Sequence, residues 1–306
     1  SISSASRWSG RWKKPSSGSR ARTLPCSRRR CWPAAKAAAG KAGADPTQVA
    51  LCYSSADGGN VLDPAKVAGK IVVCDRGVTN RVNKSLAVAE AGGVGMILVN
   101  TSANSLNGDF HSVPTVHLQN TDRAAVKAYA ATNGATAQIF ASKFVPAAAP
   151  FTANFSSRGP LRASGDLLKP DLIAPGQDIL AAFSPVVGGL DFNQISGTSM
   201  SSPHVAGLAA ALKDLHPTWS PMAIKSALMT TGYDVLDGGT PAPNTNPVLI
   251  FRQGAGHVAP NKAADPGLVF DSGYTDWLNF ICGTQPGSFC SAFTPIDPSN
   301  LNVASI

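Results

Sequence analysis

Apolar and polar positions change rhythm along the chain. Between residues 52 and 145, short apolar runs alternate with helical spacing. Gly69-Lys70-Ile71-Val72-Val73-Cys74 predicts a buried strand after a turn. Val82, Leu86 and Ala89 follow at helical spacing and stop at Gly92-Gly93, and Met96-Ile97-Leu98-Val99 predicts a second strand. Strand, helix and strand within about thirty residues make a βαβ unit. A strand over 113–118, a helix over 124–131 and a strand over 136–140 complete this region.

Beyond residue 150 the helical period dominates. From Val205 the apolar residues Leu208, Ala209, Leu212 and Leu215 recur three and four apart, predicting a helix with one core-facing side. Gly197 before it is read as freeing the backbone for a tight entry. Pro203 is read as occupying the first turn, and Gly207 as admitting another backbone. Downstream, Ser220 caps a helix with Pro221 at its first position, and Ala223, Ile224, Ala227 and Leu228 give it an apolar side ending near Gly232.

Ser199 thereby falls at a helix N-terminus, where unpaired N–H groups and the helix dipole favour developing negative charge. Its hydroxyl and backbone N–H are the candidate nucleophile and half of an oxyanion site. The commoner role of serine there is helix capping, open equally to Ser199, Ser201 and Ser202. The G-x-S-x-G elbow is not formed, because position 201 is Ser, which argues against an α/β-hydrolase.

The run Gly197-Thr198-Ser199-Met200-Ser201-Ser202-Pro203-His204-Val205-Ala206-Gly207 resembles the active-site serine motif of subtilisin-like serine proteases. Asn154-Phe155-Ser156-Ser157-Arg158-Gly159-Pro160 and Leu168-Lys169-Pro170-Asp171-Leu172-Ile173-Ala174-Pro175-Gly176 resemble the segments that precede it in plant-type members. So do Gly254-Ala255-Gly256-His257-Val258 and the run from Asp265 to Asp271 after it. Residues 37–148 look like the protease-associated domain that such members carry as an insertion. The resemblance implies an α/β fold: the C-terminal part of a parallel-sheet catalytic domain over 149–293, plus a small α+β inserted domain. It further implies the start of a truncated β-sandwich over 294–306.

The implied activity is serine endopeptidase action on peptide or protein substrates, with Ser199 forming the acyl intermediate. Only the serine carries over. The family's histidine, aspartate and oxyanion asparagine have no counterpart here, so these residues by themselves are expected to be inactive. His204 points away from Ser199 on the same helix, His111 and His117 lie in the inserted region, His216 lies in a turn as an exposed or capping residue, and His257 lies in a Gly-rich turn. Asp271 reads as a turn residue, and Asn154 stands on the wrong side of the insertion for the oxyanion role. The alternative is a non-catalytic protein-interaction module built on the inserted domain.

Charge changes the picture only at one end. The first 31 residues hold nine of the 26 Lys and Arg and no acid, leaving 17 basic against 18 acidic residues elsewhere. Such a stretch could bind nucleic acid or an anionic surface, but residues 1–36 are expected to be disordered or translated out of frame, and no nucleic-acid partner is expected. No apolar run of eighteen residues occurs, so no membrane span is expected.

Six cysteines (26, 31, 52, 74, 282 and 290) permit disulfides without excluding buried thiols; Cys52 and Cys74 bracket an expected hairpin. Their spacing offers no zinc site, and neither metal nor cofactor is expected. Sequons stand at Asn83, Asn100 and Asn154. Family resemblance implies secretion, and self-association through the inserted domain.

Overall fold

The computed structural model describes residues 34–141, 149–188, 190–236 and 247–304. The basic stretch 1–33, with Cys26 and Cys31, lies outside the described residues. The chain divides into two compact units. The first holds 34–141 with 182–188 and 190–194; the second holds 149–181 and 195–304.

In the first unit the elements run β1 (Ala35–Ala37), α1 (Pro46–Ala50), α2 (Pro64–Val67), β2 (Ile71–Asp75), α3 (Arg81–Glu90), β3 (Gly95–Val99), β4 (Thr115–Leu118) and α4 (Arg123–Ala130). The four strands pair in chain order, all parallel, with Ile71 opposite Gly95 and Met96 opposite Thr115. Every residue of β2 and β3 is buried. That is why both read as unbroken apolar runs: side chains alternate between faces, and helices cover each face. Val72, Cys74, Met96 and Leu98 meet Ala87, Val88 and Ala91 on one side. Ile71, Val73, Ile97 and Val99 meet Val126 and Ala130 of α4 on the other.

Two expectations shift here. The predicted stripe Val82, Leu86, Ala89 is the outer, partly exposed side of α3. The buried side runs Lys84, Ala87, Val88, Ala91, because the Cys52, Leu62, Val67 and Met96 cluster lies against it. Lys84 is fully buried: its stem fills this side, and its ammonium donates to the Leu51 carbonyl (2.7 Å) and Thr79 Oγ1 (2.8 Å). Desolvation pushes its pKa down to about 8. Gly92, with φ of 74°, closes α3 in the left-handed conformation that glycine tolerates.

The strand expected over 136–140 is reduced to one bridge, Thr136 with Ala34. Ala35 and Lys36, assigned to the disordered stretch, instead pair with Ile71 and Val72 in β1. Cys52 and Cys74 are joined by a disulfide that ties the turn after α1 to a parallel strand, so no hairpin is involved.

A two-stranded ribbon, β5 (Ile179–Ala182) and β6 (Phe192–Ile195), flanks α5 (Pro185–Gly188). The second unit then continues as α6 (Thr198–Leu215), α7 (Pro221–Thr230), α8 (Ile250–Gln253), α9 (Pro260–Ala263) and α10 (Tyr274–Thr284). The cap of α7 is as read: Ala223 N–H donates to Ser220 Oγ at 2.9 Å, with Pro221 at the first helical position. Ile224, Ala227 and Leu228 pack with Leu212 and Ala263.

Parallel pairing in this unit is limited, among the described residues, to a bridge between Ile173 and His257. His257 bridges Tyr233 antiparallel as well, so it sits buried between two extended segments, not in a turn. Gly256 permits that approach: a Cβ there would lie 2.6 Å from the Tyr233 carbonyl oxygen. Cys282 and Cys290 form a second disulfide. The strand expected after 294 is not formed among the described residues. Leu301 and Val303 instead bury against Phe280.

Candidate active site

Ser199 is exposed at the second position of α6. Its N–H lies among first-turn donors that have no intrahelical acceptor, and the N-cap, Gly197, has no side chain to cap them. The entry to the helix is pinned from one loop. Gly197 N–H donates to the Gly176 carbonyl at 2.8 Å, and Ser201 Oγ donates to the Ala174 carbonyl at 3.0 Å. Ser196 Oγ donates to Asp178 Oδ1 at 2.9 Å and accepts from the Asp178 N–H at 2.7 Å. Asp178 and Ser196 were not legible beforehand, since a contact across eighteen residues leaves no periodic trace.

Three expectations about this helix are corrected. Gly197 has φ of 167°, extended backbone open to any residue. Pro203 sits inside the helix, in its second turn, because the helix begins at Thr198. Lacking an N–H, it leaves the Ser199 carbonyl, four residues earlier, without a helical donor. A Cβ at Gly207 would meet nothing within 4 Å, so no backbone approaches it. The predicted side of α6 does face a core: Val205, Leu208 and Ala209 pack with Leu212 against Ile224, Ala227, Leu228 and Ala263, while Leu215 is exposed, as are Ala206, Gly207, Ala210 and Ala211 off that side.

No histidine hydrogen-bonds to Ser199 among the described residues. His204 Nδ1 lies 2.7 Å from the Met200 carbonyl, turned back along its own helix. His216 is the C-cap of α6, its N–H donating to the Leu212 carbonyl at 2.8 Å. It stacks on Trp219 at 3.8 Å, and its Nε2 lies 2.8 Å from the Ala264 carbonyl. His257 packs against Tyr233, and neither of its ring nitrogens has a hydrogen-bond partner among the described residues. Burial pushes its pKa down to about 4, holding it neutral.

In the first unit, His117 Nδ1 accepts the Asn107 N–H at 3.2 Å and its Nε2 lies 2.8 Å from Asn100 Oδ1. His111 Nδ1 lies 3.0 Å from Ser85 Oγ. Asp271 accepts from Ser220 Oγ at 2.5 Å, as part of the α7 entry.

Acidic groups elsewhere in the two units are structural. Asp171 is held by Lys169 and Lys225, each at 2.7 Å, and Asp75 by Arg123 at 2.7 Å and Lys127 at 2.6 Å. Burial acts to raise both carboxyls, and the paired cations outweigh it, leaving each below its ordinary value. No group of three or more His, Cys, Asp or Glu capable of holding a metal occurs among the described residues. Nor, among them, is any helix long and apolar enough to cross a membrane.

The chain matches the subtilase family (peptidase S8) over residues 38–274. It belongs to that family. Among curated proteins of Arabidopsis thaliana, Subtilisin-like protease SBT1.7 is 46% identical over 251 residues, covering 75% of this chain and 33% of the relative. Subtilisin-like protease SBT1.3 is 43% identical over 260 residues, covering 79% and 33%. The chain thus spans about a third of the length of the curated relatives it matches. The crystal structure of psychrophilic subtilisin-like protease Apa1 from Pseudoalteromonas sp. AS-11 covers 65% of this chain and 35% of its own, at 19% identity and a TM-score of 0.26. A likeness that weak carries no argument.

Proposed function

We propose that the chain is the nucleophile-bearing part of an extracellular subtilisin-like serine endopeptidase acting on peptide or protein substrates. In this reading Ser199 Oγ attacks the scissile carbonyl carbon, and the Ser199 N–H at the open tip of α6 stabilises the oxyanion. The supporting observation is that Ser199 is exposed, in the first turn of α6, after an N-cap without a side chain. The histidine that takes the hydroxyl proton, the aspartate that orients it and the oxyanion asparagine belong to polypeptide outside these 306 residues. Residues 37–148 are then the inserted protease-associated domain. Two disulfides, Cys52–Cys74 and Cys282–Cys290, support an oxidising compartment.

Removing the base costs about a million-fold in turnover in subtilisin, the type case for this triad. The chain by itself should therefore show negligible peptidase activity. Co-expression with the upstream part of Arabidopsis SBT1.7 should restore casein hydrolysis and fluorophosphonate labelling, and Ser199→Ala should abolish both. Hydrolysis that survives Ser199→Ala would overturn the assignment. Binding of protein partners without any restored hydrolysis would favour an interaction module instead.

A further inference from the structure

We propose that Asn154 is an N-glycosylation site, and that Asn83 and Asn100, which also stand in sequons, remain unmodified in the folded protein. The three sequons are Asn83-Lys84-Ser85, Asn100-Thr101-Ser102 and Asn154-Phe155-Ser156. As sequence they are equivalent. The fold separates them.

Asn100 has no exposed surface. Its amide nitrogen faces the Asn104 carbonyl at 3.1 Å, the Ser105 carbonyl at 3.3 Å and Gln119 Oε1 at 3.2 Å. Its Oδ1 accepts from Arg76 Nη1 at 3.2 Å. A sugar on that nitrogen would replace a committed hydrogen and place a bulky polar group in a sealed site.

Asn83 lies in the first turn of α3 and donates to Asp57 Oδ1 at 2.8 Å. The two residues completing its sequon, Lys84 and Ser85, are fully buried. The Ser85 hydroxyl is engaged: it donates to the Val82 carbonyl at 2.7 Å and accepts from the Ser112 N–H at 3.1 Å.

Asn154 differs at the asparagine itself, although its sequon serine, Ser156, is buried as Ser85 is. It is exposed, in a turn closed by the Ser156 N–H on the Ala153 carbonyl at 3.1 Å. Its neighbours Ala153 and Ser156 are buried and anchor that turn, while Asn154 is exposed and its amide makes no hydrogen bond among the described residues. A glycan there displaces no contact. The two disulfides independently favour the oxidising compartment in which this modification is made.

The transfer is balanced with a lipid-diphosphate-linked oligosaccharide as donor. The Asn154 amide nitrogen forms a bond to the sugar's anomeric carbon, the bond from that carbon to the diphosphate oxygen breaks, and one amide proton is lost as the lipid diphosphate leaves.

The test is secretion of the full chain from a eukaryotic host behind a cleavable signal sequence. Peptide-N-glycosidase F treatment in heavy-oxygen water and peptide mapping follow, on secreted and cell-retained material alike. The expected result is an asparagine-to-aspartate conversion at position 154 alone, with one mobility step lost in Asn154→Gln and kept in Asn83→Gln and Ser102→Ala. Asn154 is exposed, so its replacement leaves the fold intact. An unmodified Asn154 in disulfide-bonded secreted protein overturns the proposal, as does a glycan at 83 or 100. The readout is a covalent mass, independent of any peptidase activity.

Discussion

The core strands of the first unit and helix α6 of the second both carry apolar runs, and they bury them to different extents. In the first unit, β2 and β3 bury all of their residues between helices on both faces. In the second, α6 turns Val205, Leu208, Ala209 and Leu212 toward Ile224, Ala227, Leu228 and Ala263, and leaves Ala206, Gly207, Ala210 and Ala211 open on its other side. Apolar periodicity specifies that a helix forms. It specifies the side that is covered here, and not what becomes of the small residues off that side. The stability of the two regions should diverge accordingly.

Acid gives the largest expected divergence. Burial, reinforced by Arg76 and Arg81, pushes the His117 pKa down to about 3 from 6.5. The unfolded chain binds that proton below pH 6.5 and the native unit does not until about 3. Stability is therefore whole above 6.5 and falls through that window as the pH drops, by about 1.4 kcal/mol per unit. His257 in the second unit, pushed down to about 4, acts in the same direction over a narrower window. Hydrogen exchange read by peptide between pH 7 and 3 should show protection falling alike in β2, β3 and around His257 down to about pH 4, and continuing to fall only in β2 and β3 below it. Equal losses below that point would break the comparison.

Next comes the Cys52–Cys74 bridge, whose sulfurs lie in the first core. Replacing both cysteines by alanine should cost that unit about 2–5 kcal/mol, seen as a lower denaturant midpoint for its peptides with the second unit unmoved. Core truncation sharpens the contrast. Leu98→Ala, at a fully buried site, should cost about 2–5 kcal/mol. Ala210→Ser, on the open side of α6, should stay within about 0.5 kcal/mol. A large penalty at Ala210 would mean that side is covered in solution. The smallest effect is the loss of a cap: Ser220→Ala should lower second-unit stability by about 1 kcal/mol, measured by thermal unfolding.

Local chemistry was legible in the sequence and tertiary pairing was not. Strands β2 and β3, helix α4 and the Ser220–Pro221 entry follow from signals confined to a few residues. The side of α3 that faces inward depends on Cys52, Leu62 and Val67, which come from earlier segments. A lysine on that side hides the stripe from any hydropathy reading. The segment over 136–140 has strand composition, yet only Thr136 finds a partner. At the candidate site the hydroxyl and helix tip were legible. The Asp178–Ser196 clasp was not, and neither was the emptiness beside Gly207, where a glycine within a helix had suggested an approaching backbone.

The sealed ammonium of Lys84 makes the first unit its own stopwatch. An amine-acylating reagent reaches a nitrogen only after solvent does, and that nitrogen is enclosed between the Leu51 carbonyl and the Thr79 hydroxyl. Surface lysines such as Lys66 will be consumed early. Position 84 will react only in molecules whose α3 has lifted from the sheet, so its labelling rate counts those openings directly.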